Sequence, residues 1–289
     1  MTFQAGPIVG LLLLGFLYVR AVRLLGRRGY RVPGGQQAFW WTGFALLAFA
    51  FLGPLDTWAD TYVSSHMAQH MLMADVATPL LLIGLRNPVL VFYLPRPILE
   101  PLARRRRLRE IFSKLRSPIY AVVVYTIVLY AWHAAPLFEA ALRHPIVHAL
   151  QHESFIVFSA FLWWPIIEPN HRRMPGALWK IPYFFGARLP TMLLGMGFIV
   201  AQTTFYDGFY GTGKRPNGWS AVLDQQIGGG IMMVVDVVLL MVVLAVAFWR
   251  AASEDDANAP VGEATAQGDL PGVHQEGDVQ AGMKVAEVR

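Results

Sequence analysis

The sequence predicts an all-α membrane protein: a bundle of seven transmembrane helices, amino terminus outside, carboxyl terminus cytoplasmic, with a disordered C-terminal tail. Three observations lead there. The 289 residues are 55% hydrophobic and only 15% charged. Apolar runs long enough to cross about 30 Å of hydrocarbon, roughly 20 residues each, recur along the chain. Arginines crowd into alternate loops between those runs. Lipid offers backbone groups no hydrogen-bond partner, so the runs are read as helices.

Residues 7–25 make the first span. No positively charged segment precedes it and no small-residue cleavage site follows, so it is read as retained rather than as a signal peptide. The second span, 39–55, is short. The third, 62–85, opens on His66 and His70, the fourth, 118–133, closes on Trp132-His133, and the fifth, 146–166, opens on His148 and His152. The sixth covers 184–206 and the seventh 226–249, which makes 1–250 the membrane domain. From 251 to 289 the chain turns to Glu, Asp, Ala, Gly, Pro and Gln, with too little apolar surface to offset chain entropy. That tail is expected to be disordered and cytoplasmic, which sets His274 aside.

Orientation follows from the basic residues. Arg20, Arg23, Arg27, Arg28 and Arg31 follow the first span; Arg86, Arg96, Arg104 to Arg107, Arg109, Lys114 and Arg116 follow the third; Arg172, Arg173 and Lys180 follow the fifth. The opposite loops hold only Arg143, Lys214 and Arg215, alongside Asp56, Asp60, Asp207 and Asp224. The first set is expected in the cytoplasm. The net charge of +5 is therefore an insertion signal, with the lipid bilayer and not nucleic acid as the partner. The run Arg104 to Arg107 reads as a stop signal that pins topology. Zero cysteines exclude disulfides, thiolate metal sites and Fe–S clusters. No phosphate-binding glycine loop or serine-nucleophile signature is present, so nucleotide hydrolysis has no support.

Six of the eight histidines, His66, His70, His133, His144, His148 and His152, fall at span ends that this topology puts on the outer face. His66 and His70 stand four apart, so a helix places them on one face about 6 Å apart along the axis. His148 and His152 repeat that spacing, whereas Pro145 puts His144 in the loop or at the helix start. Imidazole handles soft metals, haem iron and protons, and one interfacial histidine is usually just a hydrogen-bonded headgroup-level residue. Six on one side change that balance. His66, His70, His148 and His152 rank first as metal ligands, His133 next, with Met73 and Asp224 as possible additions; Met67 and Met71 share a neighbouring stripe.

Asp75 and Asp236 lie near mid-membrane, as part of a proton or cation path or as buried carboxyls bonded to a neighbouring helix. Arg188 is expected near the inner end of the sixth span, snorkelling to the cytoplasm. Gly228-Gly229-Gly230 and Gly195-Met196-Gly197 are expected to permit close helix contact.

Four pieces of this sequence taken in order, Ser65-His66 to His70 with Pro79-Leu80-Leu81-Leu82-Ile83-Gly84, Trp132-His133 with Pro136-Leu137-Phe138, His144 to His152 with Trp163-Trp164-Pro165, and Asp224-Gln225-Gln226-Ile227-Gly228-Gly229, resemble the CtaG-type cytochrome c oxidase assembly factors. The resemblance covers most of 36–249. It implies a seven-span bacterial plasma-membrane protein that helps mature the haem–copper oxidase, with His66, His70, His133, His148, His152 and Asp224 at the family's positions. The expectation is a non-enzymatic copper chaperone that binds copper transiently, as Cu(I), and passes it to oxidase subunits. A haem-binding membrane cytochrome or oxidoreductase, a copper or proton transporter, and a metal-free scaffold are the alternatives.

Overall fold

The computed structural model describes residues 5–168 and 178–258. Those residues are helical, with no strand among them. Helix α1 (Ala5–Arg27) and α2 (Gly34–Leu52) lead to a short α3 (Pro54–Ala59). Next, α4 (Val63–Met71) runs through a π turn (Leu72–Ala77) into α5 (Thr78–Gly84). The basic segment forms α6 (Val89–Tyr93), α7 (Arg96–Arg104) and α8 (Arg106–Leu115), the last two burying no residue. After it come α9 (Pro118–His133), α10 (Ala135–Arg143), α11 (Pro145–Ile167), α12 (Lys180–Val200), α13 (Asp207–Tyr210) and α14 (Ala221–Asn258). Proline in the first turn of α3, α9, α10 and α11 fixes where each begins, because the missing N–H is one that a helix start does not use.

Among the described residues, four helices are long and apolar enough to cross a membrane: Gly6–Arg27, Val63–Gly84, Lys180–Val200 and Ala221–Ser253. A fifth arises if Arg106–Leu115 and Pro118–His133, bent by 85°, count as one. The sequence leads one to expect seven. The difference lies chiefly in α2 and α11, whose 19 and 23 residues suffice in length at about 1.5 Å per residue. Gln36, Gln37, Trp40 and Trp41 dilute the apolar character of the first, and His148, Gln151, His152 and Glu153 that of the second.

The chain divides into two compact units, Met1–Ala251 and Ala252–Arg289. Helix α14 runs to Asn258, eight residues past the end expected for the membrane domain. Residues 259–289, with His274, lie outside the described residues, as do Arg172 and Arg173.

The π turn has a local cause. Pro79 has no N–H, and its ring cannot pass the carbonyl four residues back in a regular α turn. The chain widens: the Thr78 N–H bonds the Met73 carbonyl, and the Thr78 hydroxyl donates to the same oxygen at 2.8 Å. In that register the donor for the Ala74 carbonyl would be the missing Pro79 N–H. The hydroxyl of Ser159, on α11, donates to it instead.

That bond marks a packing interface. Helix α11 lies against the π turn and α5 on one side and against α9 and α10 on the other. Helix α2 crosses the π turn and α5 so closely that a Cβ on Gly43 would stand 2.9 Å from the Ala77 carbonyl. The third and fifth expected spans are therefore neighbours. Helices α12 and α14 also touch through backbone: a Cβ on Gly229 would meet the Gly195 oxygen at 2.5 Å, whereas one on Gly230 meets nothing within 4 Å.

Substituting Gly229→Ala should lower the detergent-solubilised protein's thermal unfolding temperature, a loss of about 1–3 kcal/mol from overpacking. Gly230→Ala should leave it unchanged or raise it. Equal effects of the two substitutions in a thermal melt would contradict this helix contact.

Candidate metal centre

The first turns of α4 and α11 lie at the same end of the bundle, and each carries an i,i+4 histidine pair. The packing of α11 on the α4–α5 span brings the pairs face to face. Ring centroids stand 4.3 Å apart for His66 and His70 and 4.1 Å for His148 and His152. Across the interface they are 5.5 Å for His66 and His148 and 5.0 Å for His70 and His152. One ring nitrogen from each of the four lies within 4.8 Å of the other three. Tetrahedral coordination at about 2.0–2.1 Å per metal–nitrogen bond needs nitrogens roughly 3.3 Å apart.

Three of the four rings are buried and His148 is half-buried. His66 has no exposure, and His70 and His152 are 5% exposed. Phe138 packs on His66 and Phe155 on His70, each at 4.8 Å, with Phe51 at 5.6 Å from His152. Both ring nitrogens of His70, and Nε2 of His148 and His152, find no hydrogen-bond partner in the protein, whereas the Gln151 side chain stands beside His66. Unpaired buried polar atoms cost about 1–3 kcal/mol each, so this arrangement is expensive unless something binds there.

On the solvent side, α3 brings Asp56 and Asp60 close enough to His148 for their charges to act on it. Partial burial, and then the Asp56 carboxylate beside it, raise the Asp60 carboxyl above the ordinary carboxylate range. The Gln69 amide donates to Asp56 Oδ1 at 3.0 Å and to the Ala50 carbonyl at 2.8 Å, which ties α3 and α2 to the α4 face that holds the histidines.

The other expected ligands stand elsewhere. The His133 Nδ1 is 2.8 Å from the Leu129 carbonyl, and the residue is not among the four that converge. Met73 is fully buried in a different cluster, with Trp40, Leu47 and Leu81, because the π turn aims it at α2. Asp224 serves as a clamp. Its carboxylate accepts from the Val63 N–H at 2.9 Å, the Ser64 N–H at 3.1 Å, the Ser64 hydroxyl at 2.6 Å and Arg215 Nε at 2.9 Å. An anion at the first-turn amides of a helix satisfies donors that the helix leaves open, so Asp224 fixes where α4 starts and thereby where His66 points. His144 is exposed, at the N-cap of α11.

Deeper in the bundle, Arg188 does not snorkel. It is fully buried between two carboxylates, donating to Asp75 Oδ1 from Nη1 at 2.5 Å and to Asp236 Oδ1 from Nε at 2.8 Å and from Nη2. The three residues come from the third, sixth and seventh expected spans, and oppositely charged residues in separate apolar runs were the available signal for pairing. Between this triad and the histidines lies a narrow cavity bordered by His70, His133, Met67, Met71 and Met232 above and Asp75 below.

Fold and site together define a helical membrane protein with a four-imidazole cluster, three rings of it buried, at one end of its bundle. The chain matches the family described as cytochrome c oxidase caa3 assembly factor over residues 16–254, a stretch that takes in every residue of the centre. It belongs to that family. Among curated proteins it is 29% identical over 267 residues to the uncharacterized protein Mb0105 of Mycobacterium bovis and, equally, to the uncharacterized protein MT0111 of Mycobacterium tuberculosis. Each match covers 84% of this chain and 39% of the relative, so the chain spans well under half the length of these relatives. The uncharacterized protein ML1998 of Mycobacterium leprae is 25% identical over 236 residues, 76% of this chain and 34% of the relative. No solved structure matches the chain.

Replacing Asp224 by Ala should leave Arg215, itself 6% exposed, without its counter-charge and two α4 amides without acceptors. The expected loss is about 3–5 kcal/mol, read as a large drop in thermal unfolding temperature. An unchanged melt would show that Asp224 is not the clamp.

Proposed function

We propose that the protein is a copper carrier for maturation of the haem–copper oxidase, with His66, His70, His148 and His152 as the cargo site. The observation that carries this reading is the convergence of four imidazoles from two helices, three buried and His148 half-buried, with unpartnered ring nitrogens on His70, His148 and His152. An all-imidazole donor set with no thiolate in the chain suits copper that must be handed on, because nothing in it makes a tight sink. Membership of an oxidase assembly family supplies the client class. The role is non-enzymatic: the site binds, desolvates and releases an ion, and Met73 and Asp224 support the fold around it.

In this reading α1, α2, the α4–α5 span, α9, α11, α12 and α14 are the seven spans of a plasma-membrane protein, with the amino terminus outside and the carboxyl terminus in the cytoplasm. The histidine end of the bundle then faces outward, with Asp56 and Asp60 at the mouth where a cation arrives. A haem reading has less support, because the four rings and the phenyl groups packed on them fill the space that a macrocycle would need. A transport path past Asp75 and Asp236 is opposed by the guanidinium that bridges them.

The purified protein, loaded with Cu(I) under reducing conditions, should retain copper bound by nitrogen donors and show no Soret band. His148→Ala with His152→Ala should remove that copper, and cells carrying the double variant should lose oxidase activity that excess copper restores. A Soret band, or copper retention unchanged in the double variant, would overturn the proposal. Because the chain has no cysteine, single cysteines at 60 and 107 report topology: a membrane-impermeant thiol reagent added to intact cells should label the first and spare the second.

A further inference from the structure

His133 was expected beside the other histidines, and the structure puts it on the wall of the cavity beneath them. Its Nδ1 stands 2.8 Å from the Leu129 carbonyl, which has no proton to give, so Nδ1 carries the proton and Nε2 carries the lone pair. That Nε2 has neither a protein partner nor solvent access. Its orientation is also fixed from the backbone, since the Tyr206 hydroxyl donates to the His133 carbonyl at 2.9 Å. An imidazole held by a carbonyl at one nitrogen and open at the other is how proteins prepare a metal ligand.

The cavity's remaining upper lining is unusual in its sulfur content. Met67 and Met71, one turn apart on α4, and Met232 on α14 are each at most 5% exposed and pack as one cluster. His70 borders the cavity as well, so it faces the four-imidazole centre and this space together. Two phenyl rings are shared across the boundary: Phe138 touches His66 and His133 at 4.8 and 6.1 Å, and Phe155 touches His70 and His133 at 4.8 and 5.9 Å. On the lower wall, Asp75 belongs to a group with two carboxylates and one guanidinium.

We propose that this cavity is a second, thioether-rich site for a soft monovalent metal, Cu(I), formed by His133 Nε2 and the sulfurs of Met67, Met71 and Met232, directly beneath the four-imidazole centre. The inference rests on the copper reading of that centre. Thioethers select Cu(I) over harder and divalent ions, so the two sites differ in kind. The upper one takes copper through nitrogen, and the lower one holds only the reduced ion, away from water. Packing is the ordinary role of methionine in a helix bundle, and the cavity and its unpartnered imidazole nitrogen are what set these three apart.

The test is copper-edge X-ray absorption, with copper content, on the full-length protein in detergent after loading with excess Cu(I). The wild type should show sulfur as well as nitrogen in the first shell. Met67→Leu with Met71→Leu and Met232→Leu should remove the sulfur signal and roughly halve bound copper, while leaving nitrogen-bound copper in place. His148→Ala with His152→Ala should do the reverse and keep the sulfur signal. His133→Phe, a second variant that spares every methionine, should match the triple variant, which covers the case in which three changes at once unfold the bundle. Nitrogen-only copper in the wild type would overturn this inference and leave the four-imidazole carrier standing; absence of bound copper would overturn both.

Discussion

Inside lipid, a polar group that finds no partner in the protein finds none at all. Most of this structure is arranged around that constraint. The Ala74 carbonyl, left open by Pro79, takes the Ser159 hydroxyl; the opening amides of α4 take Asp224; Arg188 takes Asp75 and Asp236. Each solution joins two or more helices, so satisfying the group also fixes the packing. Against that background the His66, His70, His148 and His152 rings stand out because they converge and leave nitrogens without a protein partner. Where several such nitrogens converge on one point, a cation-binding site has the right donors.

The same contacts explain how the site is held. Asp224 sets the first turn of α4, the π turn carries the span past Pro79, and Ser159 locks α11 against it. The two histidine pairs are thereby fixed on rigid helices from above and below. The Arg188 triad ties the α4–α5 span to α12 and α14. Buried ion groups of this kind add little net stability, yet losing one member leaves an uncompensated charge, so they specify which helices meet more than they strengthen the meeting.

Much of this was legible in the sequence. The i,i+4 spacing of His66 and His70, and of His148 and His152, placed each pair on one helical face, and the basic loops put the two pairs at the same end of the bundle. The close glycine contacts at Gly195, Gly228 and Gly229 were foreseeable for the same reason, since small residues in apolar helices mark where backbones approach. What escaped was direction. Met73 sits three residues past His70, but a π turn begins at Leu72 and rotates everything after it, so Met73 packs on α2. Asp224 read as a possible ligand because its distance from Val63 and Ser64 is about 160 residues in the chain and nothing local reveals the clamp. Arg188 read as a snorkelling residue because pairing of charges between spans depends on which helices are neighbours. Gln151, Phe138 and Phe155, which wall the centre, carry no signal beyond their apolar or helical context.

The central claim is that the four imidazoles surround one bound ion. A copper-edge anomalous difference map of the Cu(I)-loaded protein addresses it most directly. The account predicts a peak enclosed by His66, His70, His148 and His152, at coordination distance from their ring nitrogens. A map with no peak there, or with copper only at surface positions, would contradict it.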